Sequence, residues 1–150
     1  DNYAPIWGEP MSQGTRCRQL AEYIVFGAPF TMLCDSPTSY EKEPECAEFI
    51  ASIPTVWDQT AALDGKIGEY VAIARKSGSR WYIAAMTDWT ARDITLVLPA
   101  DIPDGTTATL WRDGVNADRN GQDYRKESMK LSGGSITVHL APGGGCVLAF

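Results

Sequence analysis

GEYVAIARKSGSRWYIAAMTD, residues 68–88, sets the frame for the whole chain. In its first arm Val71, Ile73 and Arg75 alternate with Tyr70, Ala72 and Ala74; in its second, Trp81, Ile83 and Ala85 alternate with Tyr82, Ala84 and Met86. Side chains two apart share a face of a strand, and Gly78, inside the polar link Lys76–Ser79, permits the positive φ that a tight reversal needs. The stretch is therefore predicted to be a β-hairpin. Small alanines occur on both faces beside larger residues, so both faces are expected to be covered, with the hairpin central in a sheet.

Toward the C-terminus the period stays short. Ile94, Leu96 and Leu98 alternate in DITLVLP, TTATLWRDG reads as a further strand, and residues 113–127, rich in Asn, Asp and Gly, read as loop. MKLS, a Gly133-Gly134 turn, SITVHLAP and the closing GGGCVLAF supply three more short strands. Some seven closely spaced strands without helical periodicity predict an antiparallel β-sandwich. Its expected core comprises Val71, Ile73, Trp81, Ile83, Leu96, Leu98, Leu110, Ile136, Val138, Leu140 and Val147.

Toward the N-terminus the rhythm changes. Residues 1–14 read as a Pro- and Gly-punctuated loop in which Trp7 and Glu9 offer an aromatic platform beside a carboxylate, or simply a packed Trp and a solvated Glu. Thr15 is a candidate helix cap, with Leu20, Ile24, Ala21 and Val25 forming an i, i+4 stripe, and Gly27 is the expected C-cap that ends the helix. APFTMLCD, residues 28–35, reads as a buried parallel strand, and SPTSYEKEP as a turn-rich link. Pro44 opens a second helix, along which Cys46, Phe49, Ile50 and Ile53 recur at i, i+3, i+4 and i+7. Residues 53–68 read as a linker into the hairpin. Helix, strand, helix is the rhythm of an α/β barrel or a doubly wound sheet, and one strand of such a layer cannot satisfy its own ladder groups. With the start at Asp1 rather than Met, this leads to the expectation of the C-terminal fragment of a larger enzyme, divided into residues 1–56 and 57–150.

Composition narrows the function. A net charge of -6 leaves no basic stripe to neutralise phosphates, which argues against a nucleic-acid partner. No apolar run approaches the roughly 20 residues of a membrane span. Cys17, Cys34, Cys46 and Cys146 show no zinc spacing. They read as buried thiols, although Cys34 and Cys46 could pair if the loop between them folds back.

No catalytic constellation is visible. His139 lies by parity opposite Ile136, Val138 and Leu140 and reads as a solvated strand residue. Gly143–Gly145 lack the Lys and following helix of a phosphate loop and read as a turn. Asp35 is the one candidate substrate-binding residue, because barrels build active sites at the C-terminal ends of their strands; before Ser36-Pro37 it is also a good turn residue.

The segments TRCRQLAEYIVFGAPFTMLCDSPTSY, IPTVWDQTAALDGKIGEYVAIARKSGSRWYIAAMT, LWRDGVNADRN and APGGGCVLAF, in this order, resemble the C-terminal end of glycoside hydrolase family 97, the bacterial α-glucosidase and α-galactosidase family. Residues 1–14 match least, so Trp7 and Glu9 inherit nothing. The resemblance implies a mainly β fold: a C-terminal antiparallel β-sandwich preceded by the last helix-strand-helix piece of a (β/α)8 barrel. It further implies an oligosaccharide substrate and a calcium ion for the parent enzyme, with catalytic and calcium-binding residues upstream, and a periplasmic or outer-surface location where a disulfide could persist. The fragment itself is expected to be structural, without catalytic residues, metal or cofactor of its own, and to have the upstream barrel as its partner. Rival expectations are a carbohydrate-binding module, with Trp89 in TDWTARD as its candidate exposed aromatic, and a homo-oligomerisation surface.

Overall fold

The computed structural model describes residues 12–29, 32–33 and 35–150; the readings of Trp7, Glu9 and Cys34 lie outside them. Three helices come first: α1 (Arg16–Val25), α2 (Pro37–Glu41) and α3 (Pro44–Ser52). Eight strands follow: β1 (Gln59–Lys66), β2 (Tyr70–Ser77), β3 (Arg80–Thr87), β4 (Arg92–Val97), β5 (Thr107–Asp113), β6 (Tyr124–Lys130), β7 (Ser135–Leu140) and β8 (Gly145–Ala149). The fold is mainly β, and every ladder is antiparallel.

The hairpin lies inside a six-stranded sheet ordered β1-β2-β3-β8-β5-β6, while β4 and β7 form a separate pair. Ser77 faces Arg80, so the reversal is a two-residue loop with Gly78 at φ +59°, a backbone region open to glycine without a Cβ penalty. β3 is buried along its length except for Arg80, as expected of a strand covered on both faces.

Alternate residues of β3 enter different cores. Trp81, Ile83 and Ala85 join Leu96, Leu110, Leu140 and Leu148 between the two sheets. Tyr82, Ala84 and Met86 join Leu20, Ile24, Trp111 and Val147 beneath the helices. The register pairs Ile73 with Ala84 and Val71 with Met86, which puts both β-branched residues on the helix side rather than in the predicted sandwich core. Val147 is on that side too, and the sandwich side of β2 is filled by Ala72 and Ala74. When both faces of a strand are apolar, alternation alone does not say which face meets which layer.

The helices form for the anticipated reasons except at the end of α1, where Phe26 and not Gly27 is the C-cap and Gly27 does not take the positive φ of a glycine cap. The Thr15 hydroxyl accepts the Arg18 N–H at 3.1 Å and caps α1, whose Leu20, Ala21 and Ile24 are buried. Burying Leu20 and Ile24 stabilises the docked helix by about 1.5–3 kcal/mol each. At its other end Arg75 of β2 donates to the Val25 carbonyl at 3.2 Å while lying over the Trp57 ring, so the sheet itself caps the helix. Pro44 takes the first turn of α3.

Three other expectations are corrected. Among the described residues of the stretch 28–35 there is no strand: Ala28, Pro29, Met32, Leu33 and Asp35 are all exposed, and no neighbouring strand offers them a ladder. The linker at 53–68 contains β1, and the loop at 113–127 yields its last residues to β6. Both are edge strands whose polar, solvated side chains hide the two-residue period. The link at 36–44 holds the short helix α2, capped by Ser36.

Candidate functional site

Two features stand out on the helical side of the molecule. The first is a groove of about 720 Å³ between the helices, with Tyr23, Leu33, Tyr40, Ile50 and Ile53 among its lining and Asp35 at its margin. Near it Phe26, Met32 and Leu33 are more than half exposed, in a region where a folded chain normally hides such side chains. The Asp35 carboxylate accepts the Ser36 N–H at 2.7 Å, the local turn that its Ser-Pro context allows. On α3, Cys46 and Phe49 pack toward the sheet and Ala47 and Ala51 border the groove, while Ile50 and the C-cap residue Ile53 touch both.

The second feature is the joint that holds α1 to the sheet. The Thr15 N–H donates to the Gly143 carbonyl at 3.0 Å and the Arg16 N–H to the Gly121 carbonyl at 2.8 Å. Arg18 reaches the Thr87 carbonyl at 2.7 Å and pairs with Glu22 at 3.3 Å. Beneath them lies Asp113, at the end of β5 and 4% exposed. Its Oδ2 accepts the N–H groups of Ala141 at 2.9 Å and Gly145 at 3.1 Å, whereas its Oδ1 has no hydrogen-bond partner. Burial pushes its pKa up to about 6, against the pull of the Thr15 hydroxyl, the two amides and the charge of His139.

The glycine run has its explanation here. A Cβ on Gly144 would collide with Asp113 Oδ2, one on Gly145 would come within 2.7 Å of Arg18 Cα, and one on Gly143 within 2.7 Å of the Trp89 ring. The run is the turn into the last strand, and its bareness lets a helix, a buried carboxylate and an indole approach one stretch of backbone. The sequence reading missed Asp113 because it closes an ordinary strand, TATLWRD; the available signal was its burial partner, three glycines without a phosphate-loop context.

A third cluster fastens α3. Trp111 stacks between Phe49 at 4.9 Å and Tyr124 at 5.7 Å, and the Tyr124 hydroxyl donates to Glu45 at 2.7 Å. That bond is the main reason the Glu45 carboxyl is held below the usual range. Lys126 lies 4.8 Å from the Trp111 ring centroid and also bonds Glu45.

The remaining candidates take simple roles. His139 is exposed on β7, its Nδ1 2.7 Å from Asp93 Oδ1 across the small sheet. Cys17, Cys46 and Cys146 are free, buried thiols; burial is the first cause of the raised pKa of each. Trp89 is 55% exposed. Among the described residues no helix is long and apolar enough to cross a membrane, and no three His, Cys, Asp or Glu side chains converge as a metal ion requires.

A family sequence model described as "Glycosyl-hydrolase 97 C-terminal, oligomerisation" matches residues 56–150. The chain is 55% identical over 148 residues to a retaining alpha-galactosidase of Bacteroides thetaiotaomicron, covering 98% of this chain and 22% of that protein. It is 27% identical over 127 residues to a probable retaining alpha-galactosidase of Streptomyces bingchenggensis, covering 85% and 19%. The chain thus spans about a fifth of the length of these curated relatives. A solved glycoside hydrolase family 97 enzyme from Pseudoalteromonas sp. strain K8, in complex with panose, superposes with a TM-score of 0.85 at 33% identity, over 94% of this chain and 23% of that one. From the match over residues 56–150, the chain belongs to glycoside hydrolase family 97, whose C-terminal region it carries.

Proposed function

We propose that this chain is the C-terminal supporting and assembly piece of an α-glycosidase that acts on terminal α-galactosides or α-glucosides. The observation that carries the reading is the apolar groove on the outer side of the helices, beside exposed Phe26, Met32 and Leu33. A helical layer that packs one side on a sheet and leaves its other side apolar is suited to join a further layer. In this reading residues 1–56 form the edge of the catalytic (β/α)8 barrel, the upstream barrel covers the groove, and residues 57–150 brace it and bring copies together. The relatives named as retaining alpha-galactosidases support the galactoside over the glucoside.

In this reading the chemistry of glycoside cleavage, which needs a pair of carboxyl groups flanking the scissile bond, belongs to the upstream barrel. A calcium ion held by the upstream part of the longer protein belongs to the same proposal. A periplasmic or outer-surface location is part of the same proposal. The test compares this chain with the longer protein carrying it, using p-nitrophenyl α-galactoside and α-glucoside. Turnover by the longer protein alone is expected; appreciable turnover by this chain overturns the reading. The sugar-binding alternative rests on exposed Trp89. It requires a shift in Trp fluorescence at millimolar maltooligosaccharide, and none is expected.

A further inference from the structure

The two edges of the six-stranded sheet are built differently. β6 carries Arg125, Lys126, Glu127 and Lys130 within seven residues, the charge density by which sheets discourage pairing at an edge. β1 has the uncharged run Gln59–Leu63; its register on β2 shifts between Ala62 and Asp64, and Asp64 and Lys66 lie at the far end, so the regular, uncharged part of the edge is Gln59–Ala62. β1 pairs with β2 alone, so no described strand meets its second edge.

Its faces are bare as well. Seven of its eight residues are exposed and only Leu63 is half-buried, packed against the sandwich core. Fixing a residue's backbone costs about 1–2 kcal/mol, and a strand that buries a single side chain offsets little of that. Val56 before the strand and Ile67 after it are 70% and 104% exposed, so large apolar side chains bracket the edge at both ends.

We propose that β1 is the strand through which two copies of this protein pair, edge to edge and antiparallel, joining their six-stranded sheets into one. The inference rests on the assembly reading above. The occupant is a second copy because the family region that includes β1 is described by oligomerisation. Closed two-fold pairs are the commonest homo-oligomers. A two-fold axis normal to the sheet brings a strand antiparallel to its own copy, the sense of every ladder already present. Backbone hydrogen bonds would supply the ladder, with Val56 and Ile67 of both copies adding apolar contact.

The test uses the whole protein that carries this chain, with Thr60→Lys and Ala62→Lys together on β1 and Ser128→Lys on β6 as the control. Both β1 sites are exposed, and like charges brought face to face across a ladder are unfavourable. Sedimentation equilibrium is expected to show a dimer whose Kd rises roughly tenfold or more in the β1 variant. The control should match the parent. Amide exchange in the parent protein provides a second readout that needs no mutation: β1 amides should be protected when concentrated and exposed on dilution. An unchanged Kd in the β1 variant, or β1 protection independent of concentration as an upstream segment of the same chain would give, overturns this inference while leaving assembly intact. A parent protein that stays monomeric at high concentration overturns the assembly reading itself.

Discussion

The two faces of the six-stranded sheet solve the same problem in different ways. Between the sheets, Trp81, Ile83, Leu96, Leu110, Leu140 and Leu148 meet in a core with no buried ionisable group other than the Cys146 thiol. Beneath the helices, apolar Leu20, Ile24 and Val147 share the space with Trp111, two thiols and, at its edge, the buried Asp113. The sandwich face is complete in itself, whereas the helical face is fastened by a few specific bonds and carries an open apolar groove outside. In the proposed function one face supplies stability and the other an attachment.

The largest effect that could break this contrast comes from Trp111→Ala. Removing a ring that is 1% exposed and stacked between Phe49 and Tyr124 is expected to cost about 3–5 kcal/mol in urea unfolding. It should also loosen α3 before the sandwich. An α3 whose amides stay as protected as before would mean the stack does not hold the helix.

Asp113 gives the next effect, and its sign is unusual for a carboxylate. Its folded-state pKa is raised, from the ordinary 3.8 to about 6, so folding favours the protonated form. The stabilising contribution is complete below about pH 3.8, declines as pH rises, and is lost above about pH 6. The rise corresponds to about 3 kcal/mol at about 1.36 kcal/mol per pKa unit. Unfolding of the parent and of Asp113→Asn across this window should show the parent losing about that much relative to the variant. Parallel stability curves would contradict it.

Gly144→Ala sharpens the same joint from the backbone side. Its Cβ would meet Asp113 Oδ2, which the Ala141 and Gly145 amides hold in place, together with the backbone carbonyl oxygen of Ala141 at 2.5 Å. A loss of about 1–3 kcal/mol is expected. Thr15→Ala removes the cap of α1 and should cost about 1 kcal/mol, with Thr15→Ser recovering most of it. Equal stability of the Ala and Ser variants would mean that the hydroxyl does not cap the helix.

Legibility in the sequence followed burial. The hairpin at 70–87 was readable because both its faces are packed, and packing is what imposes a two-residue period on the side chains. β1 and β6 were hidden for the converse reason: QTAALDGK and YRKESMK lie at the sheet edges, where solvent places no demand on alternate positions. Helix α1 carried a cap and a stripe and α3 an N-terminal Pro and a stripe, while α2, at five residues, is too short to show a period. The run APFTMLCD is apolar enough to read as buried, yet its described residues are exposed. Asp113 was not legible as a site residue, because its partners are backbone amides 28 and 32 positions away.

The central claim is that the sandwich face stands alone whereas the helical face depends on what covers its groove. Amide exchange measured on this chain and on the longer protein tests it most directly. The account predicts equal protection for β3 and β8 in both, with α1 and α3 gaining marked protection only in the longer protein. Helices equally protected in both would contradict it and leave the groove as ordinary surface.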